Sequence, residues 1–487
     1  MKYIWIWLAS TLFLQANAQQ DDITKQAIVK IYTTAQKPNY QAPWSSSMQS
    51  FTGSGAIIEG RYILTNAHVV ANQAFIEVQR YGQRKRYIAK VFAVSHQADL
   101  ALLKVEEEAF FKGVTPLTFG TLPEVEQKIV VYGYPMGGST LSATIGVVSR
   151  VEHHVYAHSG ESFLAVQVDA AVNPGNSGGP ALSNGKIVGV VMQVITKSQN
   201  IGYLVPVSMV KHFIDDMKDG KYDGLADVGL GTQKLENPAI RRYYGLDDNL
   251  SGKLINKVVH NSTLVGVLKE GDILTAVDGH NIEDDGTVEF RKHEYTHFHY
   301  FIDAYQMGES VALDVIRDRK PMHVKVLLKH TADDMYLVKT TRYDVMPTYF
   351  IYGGYIFAPL TRNLILSTTR NRLKLSYLAS QWQTEDKDEV VVLSKVLASD
   401  MSRGDNDFGM WPIDKVNGQT FKNFKEFYAK VNAVKGKYLV LEDKEGVKVI
   451  IDRKEALSKQ AGILKKYNIE FDKSVDLRQN TEVCKKN

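Results

Sequence analysis

The most informative stretch of this chain is residues 169–180, which read DAAVNPGNSGGP. Its serine, Ser177, lies among three glycines. Glycine allows the positive φ angles that expose a hydroxyl and aim neighbouring backbone N–H groups at one point. Ser177 is therefore a candidate nucleophile, and the N–H groups of Gly175 and Ser177 are a candidate oxyanion hole. Such a pattern arises by chance at roughly 10⁻⁶ per position, so chance is a poor explanation of it. The remaining alternative to a nucleophile is a structural glycine-rich turn.

A serine nucleophile needs an oriented base and an acid that orients it. His68 lies upstream in TNAHVV, residues 65–70, and Asp99 lies in ADLALL, residues 98–103. Each follows an apolar, strand-like run, and the chain order His, Asp, Ser is that of chymotrypsin-type enzymes. The three residues are therefore predicted to form a catalytic triad.

These three segments and a fourth, NIGYLVP at residues 200–206, resemble the signature segments of the HtrA/Deg (protease Do) family in sequence and in order. The resemblance covers the chain up to about residue 215. It implies a trypsin-like double β-barrel, with His68 and Asp99 from the first barrel and Ser177 from the second. It also implies an ATP-independent serine endopeptidase that needs no cofactor, degrades unfolded or damaged proteins and assembles as a homo-oligomer built from trimers.

Composition fits a soluble globular protein of about three domains, with 487 residues, 44% hydrophobic and 23% charged. A net charge of +4 with mixed signs gives no reason to expect nucleic acid or an anionic membrane as a partner. The single cysteine, Cys484, excludes an intrachain disulfide.

The N-terminus has the three parts of a secretory signal peptide: Lys2, an apolar run over 4–14, and Ala16-Asn17-Ala18. Residues 1–18 are predicted to be removed by cleavage near Ala18. The run is too short to span a bilayer comfortably, so no stable membrane insertion is expected. Export without disulfides favours a bacterial periplasm.

Residues 19–217 are predicted to form the protease domain, because short β-rich runs alternate there with Gly, Asn and Pro. Residues 34–48 are interpreted as a surface loop. Residues 207–219 have the apolar spacing of an amphipathic helix, and 218–227 form the predicted linker.

Two further regions resemble PDZ domains, so the predicted fold is mainly β with two PDZ-like α+β domains after the protease. In the first, residues 226–331, VGLG at 228–231 resembles the carboxylate-binding loop and LKEGDILTAVDG at 268–279 the central hairpin. Glycines there expose N–H groups that can capture a peptide C-terminus. Gly229, Leu230 and Gly231 are the expected contacts.

The second region, residues 340–475, repeats the pattern more faintly. DKVNGQTF at 414–421 is similar to TAVDGHNI at 275–282, and YGGYIF at 352–357 is the candidate loop and strand. An insertion at 367–388 makes this a degenerate PDZ-like domain in which peptide capture is not expected. The arrangement resembles the plant-type Deg proteases with an atypical second PDZ, and their bacterial relatives. Residues 476–487 form a polar tail.

One competing motif is HEYTH at 293–297, because H-E-x-x-H on a helix places two imidazoles, here His293 and His297, on one face for zinc. No further ligand pattern follows, so a solvated surface is favoured and no metal is expected. His153, His154 and His158 are likewise interpreted as a surface loop near the second barrel. A chaperone or peptide-binding protein with the same fold remains the alternative to an enzyme.

Specificity is predicted from two features of the second barrel. Asp169 precedes Ser177 by eight residues, but it belongs to the quoted segment and is assigned a structural role by the resemblance. The presumed pocket strand, residues 190–194, is apolar. Cleavage is therefore expected after small or medium aliphatic residues.

Overall fold

The protein is described by a computed structural model covering residues 22–135, 138, 140–194, 201–247 and 249–478. The predicted signal peptide, Cys484 and most of the predicted polar tail lie outside the described residues. Within the described residues, no helix is long and apolar enough to cross a membrane.

The first closed barrel has the strand order β1-β2-β3-β6-β5-β4. Its strands are β1 (Ile28–Pro38), β2 (Ser46–Ile58), β3 (Tyr62–Thr65), β4 (Gln73–Arg80), β5 (Tyr87–Ser95) and β6 (Leu100–Val105). Burial alternates along β5, as expected for a strand with one face on the core. The short runs at 27–33, 55–58, 62–64 and 75–78 predicted parts of β1 to β4, whereas no bounds were predicted for β5 and β6.

The second closed barrel has the order β10-β11-β12-β9-β8-β7. Its strands are β7 (Lys128–Gly133), β8 (Ser142–Val155), β9 (Ser162–Val168), β10 (Pro180–Ser183), β11 (Lys186–Val194) and β12 (Gly202–Pro206). Helix α1 (Val207–Asp216) follows at once, and a short 3₁₀ turn (Met217–Asp219) ends at Gly220, whose φ is 87°. The predicted amphipathic helix is thus present and ends where expected.

The interpretation of residues 34–48 as a surface loop is wrong. β1 and β2 pair along their whole length up to Pro38↔Ser46, so the segment is mostly a long hairpin. Its tip packs on the C-terminal part of the chain: Trp44 meets the ring of Tyr349 edge-on at 6.1 Å, and Tyr40 packs against a buried cluster there. Packing of Trp44 and Tyr40 on distant residues therefore holds this segment, although its local composition is polar.

The first PDZ-like region contains a sheet with the path β13-β14-β15-β19-β20, and β16 pairs with β15. The strands are β13 (Leu230–Lys234), β14 (Lys253–Val258), β15 (Ile273–Val277), β16 (His280–Asn281), β19 (Ser310–Arg317) and β20 (Lys320–Leu327). A separate hairpin, β17 (Thr287–Arg291) and β18 (Glu294–His297), and two short helices, α2 (Pro238–Tyr244) and α3 (His299–Ile302), complete it. The predicted central hairpin therefore corresponds to β15 and β16.

The second PDZ-like region contains two four-stranded sheets, β21-β22-β23-β24 and β26-β25-β27-β28. The strands are β21 (Phe350–Tyr352), β22 (Tyr355–Pro359), β23 (Val391–Val396), β24 (Trp411–Ile413), β25 (Lys415–Val416), β26 (Gln419–Thr420), β27 (Tyr438–Glu442) and β28 (Lys448–Asp452). The helices are α4 (Ala332–Met335), just before it, then α5 (Arg362–Leu366), α6 (Arg372–Ala379), α7 (Phe424–Ala433) and α8 (Arg453–Lys466). The predicted insertion is helical over α6, which buries Leu375.

Candidate active site

His68 lies in the turn that follows β3, at the mouth of the first barrel. The preceding Asn66 is fully buried, and its side-chain amide donates to the backbone carbonyl of Asp99 at 2.8 Å. This bond joins the turn that carries His68 to the turn between β5 and β6 that carries Asp99. The sequence named both segments, but the role of Asn66 in joining them becomes visible only in the fold.

Asp99 accepts two hydrogen bonds from His68. Its Oδ1 accepts the backbone N–H of His68 at 2.9 Å, and its Oδ2 lies 2.7 Å from the imidazole Nδ1. A carboxylate only accepts, so Nδ1 carries the proton and Nε2 keeps its lone pair. Asp99 is 1% exposed and His68 is 32% exposed, so the pair is buried on the acid side and open on the base side.

The two pKa values move in the directions that an ion pair requires. Burial by itself lowers the pKa of His68, but the charge of Asp99 and the hydrogen bond that His68 donates to it outweigh burial, so the pKa is raised above its usual value. Burial raises the pKa of Asp99, but His68 outweighs it and the net shift is downward. The charged form of His68 is thus stabilised where a base must accept a proton.

Ser177 belongs to the second barrel, and its segment lies against β2 and β3 of the first. Its carbonyl accepts the backbone N–H of Ser54 at 2.9 Å, and Gly178 lies so close to Thr65 that a Cβ there would stand 2.2 Å from the threonine Oγ1. Gly178 has φ 83°, so both its conformation and its surroundings require glycine. The glycines therefore allow the serine segment to lie against the strand end that leads to His68.

Ser54 is a site residue that the sequence reasoning missed. It is fully buried, and its hydroxyl donates to the carbonyl of Gly175 at 2.8 Å while accepting the backbone N–H of Tyr134 at 2.8 Å. One hydroxyl thus ties β2 of the first barrel to the serine loop of the second. Its setting between two glycines, Gly53 and Gly55, was an available signal.

The serine is in a resting geometry. Its hydroxyl donates to the carbonyl of Met192 at 3.5 Å, a long and weak bond, and within the described chain it has no hydrogen bond to His68. The backbone N–H groups of Gly175 and Ser177 have no acceptor among the described residues. These two donors are therefore available to an incoming oxygen.

Asp169 is held by the backbone of the barrel. Its Oδ1 accepts the N–H of Val147 at 2.6 Å, next to the turn that precedes the serine loop. The buried stretch Val190–Met192 lies on β11, which pairs with β10 and β12. The side chains of residues 193 and 194, which complete the presumed pocket strand, lie outside the described part.

The interpretation of the 153–158 histidines as a surface loop is wrong. His153 and His154 lie on β8, and the side chain of His153 is 8% exposed. His158 lies in the β8–β9 turn with its ring centroid 6.0 Å from that of His68. Burial lowers the pKa of His158 to about 3. A neutral imidazole therefore lies beside the candidate base, although nothing in the local sequence shows it.

HEYTH falls on the β17–β18 hairpin and not on a helix. His293 occupies the turn with φ 64°, and Thr296 is buried against the second barrel, where its hydroxyl lies 2.8 Å from Nδ1 of His153. The helix that would place His293 and His297 on one face is not formed. Among the described residues, no cluster of His, Cys, Asp or Glu is arranged to hold a metal ion.

The predicted carboxylate-binding loop opens β13, the edge strand of its sheet. Gly229 has φ 69°, and its N–H donates to Oδ1 of Asp227 at 2.6 Å. Leu230 and Gly231 begin the strand and pair with Val258 and Lys257. The N–H of Gly229 is thus already bonded to a carboxylate of the chain itself.

Comparison with known proteins agrees with this architecture. Residues 53–190 match the family described as trypsin-like peptidase domain, and residues 338–476 match the PDZ domain. The chain is 36% identical to putative protease Do-like 3, mitochondrial, from Arabidopsis thaliana, over 94% of this chain and 81% of that protein. It is 37% identical to protease Do-like 2, chloroplastic, from the same plant, over 93% of this chain and 75% of that protein.

The chain belongs to the HtrA/Do-like (Deg) family of serine proteases. Its fold resembles that of the HtrA-type protease AlgW solved with a decapeptide, with a TM-score of 0.50, 21% identity and coverage of 64% of this chain and 98% of that one. This Do-like protein is therefore a serine endopeptidase with a trypsin-like domain and PDZ domains. The double-barrel expectation from the sequence is confirmed.

Proposed function

We propose that this Do-like protease cleaves unfolded or damaged proteins with His68, Asp99 and Ser177 as its catalytic triad. The observation that carries the proposal is the His68–Asp99 pair, which is joined by two hydrogen bonds. The glycine-rich segment of Ser177 lies against Thr65, at the end of β3 that leads to His68. Nε2 of His68 is the free acceptor, and it faces the more open side of the pair.

The reaction follows from these positions. The Ser177 hydroxyl leaves the Met192 carbonyl, transfers its proton to Nε2 of His68, and its Oγ bonds to the scissile carbonyl carbon. The N–H groups of Gly175 and Ser177 donate to the developing oxyanion, and each such donor contributes about 3 kcal/mol. His68 then gives its proton to the leaving amine, the C–N bond breaks, and water releases the acyl group by the same route.

The raised pKa of His68 sets the pH dependence. The base must be neutral to accept a proton, so kcat/KM falls as pH drops through a value above 6.5. In Asp99→Asn the raising interaction is lost, so the midpoint of the acidic limb moves to lower pH while turnover drops. A pH-rate profile with a small peptide substrate measures both.

The decisive experiment compares casein cleavage by the wild type, Ser177→Ala and Ser183→Ala. Because triad members act as a unit, Ser177→Ala should lose several orders of magnitude in turnover. Ser183 is a serine of the second barrel whose hydroxyl bonds to Lys128 at the surface, so its variant should keep full activity. Near-normal cleavage by Ser177→Ala, free of contaminating protease, would refute the triad.

Substrate recognition combines a pocket and a peptide-binding loop. The buried apolar stretch Val190–Met192 supports cleavage after small or medium aliphatic residues. The loop at Gly229, Leu230 and Gly231 captures peptide C-termini by adding them to the edge of β13. Peptides that end in a free carboxylate should therefore bind more tightly than the same peptides ending in an amide.

A holding function is the second candidate, and the resting serine favours it. With Ser177 bonded to Met192, the described geometry can bind a chain without cutting it. Suppression of aggregation by Ser177→Ala would show that holding is separate from cleavage. If Ser177→Ala neither cleaves substrate nor suppresses aggregation, a holding function separate from cleavage is refuted.

Assembly and location complete the proposal. The protein forms trimer-based homo-oligomers and is exported to the periplasm with cleavage near Ala18. The plant relatives compared above are named as organellar, so the location needs its own test. Light scattering on wild type and on a chain ending at residue 335 tests assembly, and N-terminal sequencing of the native protein tests export, because Met1 at the N-terminus would refute it.

A further inference from the structure

A short segment after the first PDZ-like region contacts the turns that carry His68 and Asp99. Tyr343 and Asp344 lie about 275 residues along the chain from His68, yet they contact both turns that carry the histidine and the aspartate of the triad. Asp344 has φ 60°, a conformation that is uncommon outside glycine and is tolerated by Asp and Asn.

One carboxylate oxygen of Asp344 holds the His68 turn. Oδ1 accepts the backbone N–H of Asn72 at 2.5 Å, and the N–H of Asp344 donates back to Oδ1 of Asn72 at 2.9 Å. Asn72 ends the turn that begins at β3 and contains His68, and it also has a positive φ of 56°. The reciprocal pair therefore fixes two backbone positions that are otherwise unfavourable.

The other oxygen holds the Asp99 turn. Oδ2 of Asp344 lies 2.7 Å from Nε2 of His96, and His96 and Asp99 belong to the same four-residue turn between β5 and β6. A single side chain thus joins the two turns. The Asn66–Asp99 bond joins the same turns from inside the barrel.

The contact continues to the imidazole beside the base. Nδ1 of His96 lies 2.9 Å from Nε2 of His158, and Tyr343 stacks on both rings, with centroids 4.6 Å from His96 and 4.0 Å from His158. The tyrosine hydroxyl donates to the carbonyl of His158 at 2.7 Å. When His96 is neutral, its Nε2–H donates to Asp344, so its Nδ1 must accept from His158.

We propose that Tyr343 and Asp344 are positioning residues of the protease site, which hold the turns of His68 and Asp99 in register. The inference rests on the proposed triad. It makes full activity depend on a segment that lies outside both barrels, at the entry to the second PDZ-like region. Among the described residues, neither Tyr343 nor Asp344 is hydrogen-bonded to His68, Asp99 or Ser177.

The charges around this contact are few. The groups that face His158 are His68, Asp99, His96 and Asp344, and the ring of Tyr343 covers it. Burial keeps His158 neutral, so no positive charge opposes the imidazolium that His68 becomes during the reaction. Removing the Tyr343 ring opens His158 to solvent and to protonation, which would disfavour that imidazolium.

The test uses the full chain with a short chromogenic peptide that has alanine or valine before the cleaved bond. Asp344→Asn should lower kcat about 10-fold with KM within about twofold, because one charge-assisted tie between the turns is weakened. Asp314→Asn is the matched control, since it removes an Asp–His ion pair, with His323, on the first PDZ-like sheet. That variant should behave as wild type.

The pH profile separates positioning from bulk stability. A looser His68–Asp99 pair loses part of the interaction that raises the pKa of His68, so the acidic limb of kcat/KM should move to lower pH in Asp344→Asn. Tyr343→Ala should move it further, whereas Tyr343→Phe, which keeps the stacked ring, should stay near wild type. A lower melting temperature with unchanged kcat and pH profile would overturn the proposal.

Two controls distinguish failure of the positioning role from failure of the proposed triad. If Ser177→Ala cleaves the peptide as wild type does, the proposed function is wrong. The second control is independent of turnover: the low-field proton resonance on Nδ1 of His68, recorded in the Ser177→Ala background, should shift or broaden when Asp344→Asn is added. An unchanged resonance in that double variant would overturn the positioning role.

Discussion

The two PDZ-like regions place a glycine at similar points and surround it differently. In the first, Gly229 opens the edge strand β13, and a Cβ there would meet the flexible Met335 side chain. In the second, Gly353 forms the β21–β22 turn, and a Cβ there would meet Ala456 of helix α8 at 2.8 Å. The first loop is covered by Met335 and by the Cβ of Ser262, each 2.6 Å from the built Cβ position, and the second by a helix.

The two regions also differ at the edges of the strands β13 and β21. The outer edge of β21 is paired with the chain itself: the N–H of Ile351 donates to the carbonyl of Asp472 at 2.7 Å, and that of Ser474 donates to Tyr349 at 3.0 Å. The N–H of Gly353 donates to the side chain of Gln460 at 2.6 Å. In the second region, the outer edge of β21 is therefore occupied by the chain itself.

The largest expected effect comes from removing the segment that occupies this edge. A chain ending at Ile469 loses the backbone bonds to β21 and the burial of Leu477, so the second region should lose about 3 kcal/mol of stability. A chain ending at Arg478 keeps the segment and is the matched control. Thermal unfolding compares the two, and equal melting would show that the edge pairing adds nothing.

A smaller effect is expected when a methyl group is added to each loop. Gly353→Ala meets both a positive φ of 58° and the α8 backbone, so it should cost about 2 kcal/mol. Gly418→Ala has a φ of 80° in open space and should cost only about 1 kcal/mol. Gly229→Ala should cost about as much as Gly353→Ala, because its Cβ would lie 2.6 Å from the Cβ of Ser262, which cannot move without the backbone. Denaturant unfolding gives the order, and equal costs for Gly353 and Gly418 would contradict the packing argument.

The smallest effect concerns peptide binding. Asp227→Ala frees the N–H of Gly229, so the first region should bind a peptide carboxylate about fivefold more tightly, the equivalent of about 1 kcal/mol. Gln460→Ala frees the N–H of Gly353 in the same way, but the paired edge of β21 still excludes a peptide. Fluorescence anisotropy with a labelled peptide measures both. A gain in the Gln460 variant alone would reverse the comparison.

The local sequence was sufficient where chemistry is concentrated in short segments. The segments around His68, Asp99 and Ser177 and parts of six of the twelve barrel strands were predicted, since glycine requirements and apolar runs are local properties. The interpretations of residues 34–48 and of the 153–158 histidines as surface loops failed for the opposite reason. Both are polar or mixed in sequence, and their burial is created by partners far along the chain.

By itself, the sequence determined the family, the candidate nucleophile with its base and acid, and the order of the domains. The tertiary structure alone decided that Ser54 ties the barrels together, that His158 lies beside His68, that Asp344 joins the two triad turns, and that residues 472–474 occupy the outer edge of β21. Spacing along the chain encodes backbone conformation and side-chain chemistry. Contacts between residues hundreds of positions apart depend on how the folded domains dock, and no local pattern carries that information.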